Sequence, residues 1–240
     1  MRLSIRRIRA MFRKELRDYR RNAQMIVTMA YLPLIFLIQP LVVLFKVPAS
    51  TAQQISEAPV LLYMLAIPAL APGTVAAYSV VGERLQGTLE PVLTTPIRRE
   101  ELLLGKALAV FVPSVAISYA VFAFFIVCVE LFTPPGIAAA LIRGPELLAQ
   151  VVFTPLLAGC SIWIGVAIST RSGDVRTAQG FSLLATVPLA VPTTLIAFKV
   201  IPATLGVALG FAAILLVVDG LGWRVISATF DRERLITGAR

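Results

Sequence analysis

Histidine is absent from all 240 residues, which removes a wide range of chemistry at once. A histidine-dependent triad, a histidine-held zinc or haem and an imidazole proton shuttle are excluded. Cysteine is scarce: Cys128 and Cys160 both lie in apolar runs, where they are expected as small core residues and not as a disulfide framework. Charge is scarce too, at 15% of residues against about 25% in ordinary globular chains. No G-x-x-x-x-G-K-[ST] phosphate loop occurs, since Gly105-Lys106 is followed by Ala107 and lacks the upstream glycine. ATP hydrolysis by that route is excluded. There is no G-x-S-x-G elbow, and Asp219-Gly220 has no companion aspartates for a metal-dependent transferase. Asp219 is expected as a carboxylate at the membrane edge.

What is present is apolar surface: 58% hydrophobic residues and a mean hydropathy of +0.86. A membrane helix needs about 20 apolar residues. Six stretches qualify, at 23–45, 58–81, 107–129, 147–169, 179–198 and 202–220. The strict alternation of barrel strands is missing, so helices are expected. The fold class is therefore all-α integral membrane protein. Prolines at 33, 40, 68, 72, 188 and 192 are expected as kinks, tolerated where neighbours satisfy the freed carbonyls.

The net charge of +9 would suggest nucleic acid in a soluble chain. In a membrane protein it reports orientation and contact with anionic lipid, and no nucleic acid is expected. With six spans, 19 basic residues fall on one side and only Lys46, Arg143 and Lys199 on the other. Both termini are accordingly expected in the cytoplasm, with the protein in the inner membrane. Residues 1–22 are not expected to be a cleaved signal, because the basic segment and the apolar run after it are both too long. Ile5, Ile8, Phe12, Leu16 and Tyr19 instead form one helical stripe, expected to lie on the bilayer with basic groups over anionic lipid. The domain reading is an interfacial helix at 1–22, a six-helix bundle at 23–220 with a loop at 82–106, and a cytoplasmic tail at 221–240.

That loop, GERLQGTLEPVLTTPIRREELLLGK, carries local signals. Gly87 permits a bend, Thr88 can cap a following turn, and Pro91 falls where amide hydrogens have no helical partner. Thr95 and Pro96 are expected to open the next helix, with Glu100 and Glu101 in its first turns. Between them a short cytoplasmic helix at 88–94 would expose Leu89, Val92 and Leu93. It suits a partner's groove or an amphipathic connector on the bilayer; local physics does not choose.

The segment from Glu83-Arg84 through Gly87-Thr88-Leu89-Glu90-Pro91, Thr95-Pro96 and Arg98-Arg99 to Leu104-Gly105-Lys106 resembles the signature of ABC-2 type transporter permeases. The tail Phe230-Asp231-Arg232-Glu233-Arg234-Leu235 looks like endings in that family. The resemblance implies a membrane permease subunit of an ATP-driven exporter, working as a homodimer or heterodimer with separate ABC ATPase subunits that bind ATP and Mg. It implies no cofactor in this chain and makes the loop a coupling helix. By that carry-over Glu83, Arg84, Gly87, Thr88, Leu89, Glu90, Val92, Leu93, Pro96 and Arg98 would form the ATPase-docking site. Substrates across the family range over drugs, lipids, glycans, sodium and haem.

Polar residues within the spans are mild. Gln39, Tyr63, Tyr78, Ser118, Gln150 and Thr154 are candidates for a translocation path, or else hydrogen-bond partners between helices. Gly206 and Gly210 form a G-x-x-x-G pair on the last span. The competing function is a secondary carrier or channel without an ATPase. It would call for ionisable groups deep in the bilayer, and none is expected.

Overall fold

The computed structural model describes residues 3–46, 60–87, 97–134, 138–139, 141–198, 200–202 and 204–229. These form helices α1 (Ile5–Arg21), α2 (Ala23–Lys46), α3 (Val60–Tyr63), α4 (Ala66–Leu85), α5 (Arg99–Phe132), α6 (Gly144–Arg171), α7 (Val175–Ala197) and α8 (Leu205–Thr229). No strand occurs among the described residues. Six helical stretches are long and apolar enough to cross a membrane: Ala23–Val42, Leu61–Leu85, Arg99–Phe132, Gly144–Arg171, Val175–Ala197 and Leu205–Ala228.

α4 is the axis of the bundle. Its most apolar window is 94% buried, against 6% for the peripheral α8. A helix walled in on all sides must be small as well as apolar, and Ala66-Ile-Pro-Ala-Leu-Ala-Pro-Gly-Thr-Val-Ala-Ala meets that need. α6 comes closest. A Cβ on Gly165 would lie 2.2 Å from the Gly73 carbonyl oxygen, so backbone meets backbone there. The Gly73 N–H donates to Ser161 Oγ at 2.8 Å, and the Val80 and Val81 N–H groups both reach Ser169 Oγ at 3.1 Å. Such small and hydroxyl residues let membrane helices approach where no hydrophobic drive exists between them.

The second span is broken, and Pro68 explains the place. A proline crowds the carbonyl four residues earlier and offers it no N–H. That carbonyl belongs to Met64, where α3 has already given way to a turn at 64–65. Met64 O accepts instead from Ile67 N at 3.1 Å. Leu61 O, beside the break, accepts from Met64 N at 3.2 Å and also from the Gln150 side chain of α6.

Three expectations change. α5 begins at Arg99 rather than Pro96: Arg98 is extended, at φ −75° and ψ 149°, and its N–H donates to Glu101 Oε2 at 3.1 Å. Glu100 and Glu101 do occupy the first turn. Asp219 lies deeper than the membrane edge. It faces Gly159, near the midpoint of α6, where a Cβ would stand 2.7 Å from Asp219 Oδ1. The apolar stripe of α1 is not left to lipid alone either. Its Tyr19 is buried in the protein core beside Met11, which the stripe does not include; Phe12 packs against that core, and Ile5 stays exposed. Cys128 and Cys160 are free and buried.

Candidate functional site

The polar groups of the chain concentrate where α1 meets the two helices flanking the 86–98 connection. Met11, Glu15 and Tyr19 recur every four residues, so one face of α1 carries a carboxylate between two apolar anchors. Glu83 stands in the last turn of α4 and Lys106 in the third turn of α5. At this crossing a Cβ on Gly105 would lie 2.6 Å from Met11 Cβ, so the glycine lets α1 seat directly on α5.

Lys106 is 1% exposed, and all three ammonium hydrogens have acceptors. Its Nζ lies 2.6 Å from Glu83 Oε2, 3.0 Å from Glu15 Oε1 and 2.9 Å from the Ser79 carbonyl. Lys14 closes the ring, pairing with Glu83, with Glu15 at 3.2 Å and with Asp18 at 3.5 Å. Burial by itself favours the neutral amine of Lys14, but the carboxylates of Glu15 and Glu83 outweigh it and hold the ammonium above its ordinary value. Tyr19 is pushed well above the usual phenol value, first by burial and then by the charges of Glu15 and Glu83. Alternating charges therefore bind α1, α4 and α5 into one body.

A second fastening lies on the far arm. Glu101, also buried, accepts from the Ser4 N–H at 2.8 Å and pairs with Arg7 at 3.4 Å. On the near arm, the Arg84 guanidinium donates to the Ser172 and Thr170 carbonyls at 3.3 Å each, satisfying the end of α6. Tyr78 Oη accepts from Asn22 Nδ2 at 3.0 Å and from Gln86 Nε2 at 2.6 Å, tying the junction of α1 and α2 to the start of the loop. Gly87 follows with φ +66°, a left-handed conformation that favours glycine. A cavity of about 470 Å³ opens here, lined in part by Lys14, Glu15, Asp18, Tyr78 and Glu83.

Of the docking residues expected from sequence, Glu83, Arg84, Gly87 and Arg98 stand at the two ends of this connection. Thr88, Leu89, Glu90, Val92, Leu93 and Pro96, with the short helix expected at 88–94, lie outside the described residues, as does the tail beyond Thr229. Among the path candidates, Gln150 and Thr154 are buried, with Gln150 on the α3–α4 break and Thr154 Oγ1 3.5 Å from Gln150 Oε1. Ser118 bonds its own helix at Ser114 O, and Tyr63 packs on Phe36 with ring centroids 5.4 Å apart. Gln39 is exposed on α2. Sequence reasoning did not single out Glu15, and it named Lys106 and Glu101 without bringing either to α1. One signal was available: a carboxylate four residues from both Met11 and Tyr19, on a helix face beside the apolar stripe. Among the described residues no group of three or more acidic or cysteine side chains is placed to hold a metal.

A helical bundle with six membrane-length spans, and charges gathered around one connection between spans, is a multi-pass membrane protein. The model of the ABC-2 family transporter proteins matches residues 9–221, and the chain belongs to that family. It is the membrane component, the permease subunit, of an ABC transporter. No curated protein matches the chain.

Proposed function

We propose that the chain is one half of an exporter's membrane domain and that the 86–98 connection receives the motion of a separate ATPase subunit. The side bearing α1 then faces the cytoplasm, in keeping with the distribution of basic residues. Two such chains, alike or different, pair to enclose the substrate. ATP and Mg bind the partner subunit, and this chain turns over no nucleotide. The observation that supports this most is the double fastening of the connection: Lys106 on one arm pairs with Glu83 on the other and with Glu15 of α1, and Glu101 holds Ser4 and Arg7. A push on a loop tied this way moves α1, α4 and α5 together instead of flexing a tether. Among the described residues, Asp219 beside Gly159 would suit an ion-driven carrier; family membership outweighs it.

The test is pull-down of the ATPase by wild type and by Leu89→Asp at equal membrane levels. A desolvated aspartate in an apolar groove costs several kcal/mol, so association and transport are expected to be lost while insertion survives. Undiminished association together with undiminished transport refutes the reading.

A further inference from the structure

At the end of the bundle away from α1, the helices part. α8 packs on α6, and a groove of about 870 Å³ opens between the start of α6, the end of α7 and the start of α8. Its walls are apolar, with Ala149, Val152 and Phe153 from α6, Ile196 from α7, and Ala208 and Phe211 from α8. The two threonines in the wall are already engaged: the Thr193 hydroxyl donates to Ala190 O at 2.9 Å and Thr204 Oγ1 accepts from Val207 N at 3.3 Å. One polar group remains. Glu146, in the first turn of α6, lines the groove, and its Oε2 is enclosed yet accepts no hydrogen bond.

Such a space does not stay empty in a bilayer. A void forfeits the dispersion contacts of its lining, and water finds too few polar partners to occupy an apolar cavity. The neighbouring matter is acyl chain. From Glu146 to Phe153 the α6 wall descends about 10 Å, roughly two thirds of a leaflet about 15 Å deep. The site thus has an apolar trough below and a carboxylate oxygen lacking a donor at the rim. The complement is an amphiphile with a long alkyl tail and an N–H cation at headgroup depth. Arg143, exposed one residue before α6, attracts the Glu146 carboxylate but makes no hydrogen bond to its Oε2.

We propose that this groove seats an acyl chain of an ethanolamine phospholipid of the leaflet distal to α1, with the lipid ammonium donating to Glu146. The site needs only the chain's place in a membrane and does not depend on ATPase coupling. Native mass spectrometry of the purified full chain, exposed in turn to phosphatidylethanolamine and phosphatidylcholine of matched tails, reads it directly. The choline lipid fills the same trough but has no N–H. One charge-assisted hydrogen bond predicts roughly tenfold preferential retention of the ethanolamine lipid. Glu146→Gln should bring that ratio towards one, and Ala208→Trp, which fills the trough, should remove both lipids. Ethanolamine lipid with a photoreactive tail, applied to the wild type, should label residues 149–153 and 205–212, and this needs no variant to fold. Equal retention of the two lipids by wild type, labelling elsewhere, or unchanged retention by a monodisperse Ala208→Trp overturns the proposal. So does a photoproduct joining the groove to a second copy of the chain, which would make the groove a subunit interface.

Discussion

Replacing Lys106 by methionine isolates the ionic ring from everything else in the bundle. Methionine keeps most of the length and apolar stem of the side chain, so packing against α1 and α4 changes little, and membrane insertion is not impaired. The electrostatic change is large. Three hydrogen bonds go, to Glu83 at 2.6 Å, to Ser79 O at 2.9 Å and to Glu15 at 3.0 Å. Glu15 and Glu83, 2% and 8% exposed, are left facing each other with Lys14 alone between them. Removing one partner from a buried ion pair costs about 3–5 kcal/mol, most of it from the charge left behind. The double substitution Lys106→Met with Glu83→Gln removes that surplus negative charge, and part of the loss should return. A coupling of about 0.5–3 kcal/mol between the two sites follows from their direct contact. The assay is thermal unfolding of the detergent-purified chain, followed by size-exclusion fluorescence, for wild type, both single variants and the double. The expected order places Lys106→Met lowest and the double variant above it. If Lys106→Met unfolds with wild type, or the double variant is no better than the sum of the singles, the ring does not hold α1 to the bundle.

Gly165→Leu should prevent the approach of α6 to α4, since even a Cβ there falls 2.2 Å from Gly73 O; overpacking of this kind costs about 1–3 kcal/mol or more, and normal levels of folded chain would contradict the packing. Cysteines placed at Gly144 and Gly173, where a side chain meets nothing within 4 Å, should label from opposite faces of intact cells; labelling from one face removes the six-span topology. Lys14 is held above its ordinary value, so its contribution is complete below about pH 10.4 and is lost as pH rises through the folded value. Wild type should therefore lose more stability than Lys14→Met above that pH, and parallel profiles would show that Lys14 takes no part in the ring.

The membrane class, the number of spans and the place of the informative loop were legible from residue order alone. Each rests on a local quantity: a run long enough to cross, or a glycine where the chain must turn left-handed. The expected bounds of the second span hid a break, although Pro68 marked it. Proline chemistry says that the helix is interrupted, and only the neighbouring helix decides whether Gln150, 89 residues away, reaches the Leu61 carbonyl beside the break.

The ionic ring lay beyond the reach of sequence for the same reason. Lys106 and Glu15 are 91 residues apart, and Lys14 and Glu83 are 69 apart. Helical period identifies the face of α1 that carries Glu15, but it does not name the helix that will cover that face. That choice is made where Gly105 lets Met11 approach and where the walled-in α4 brings Glu83 beside Lys106. The depth of Asp219 was settled in the same way, by Gly159 leaving room at the middle of α6. Composition and periodicity determine what must be buried; which charges are buried together depends on close approaches between helices distant in the chain.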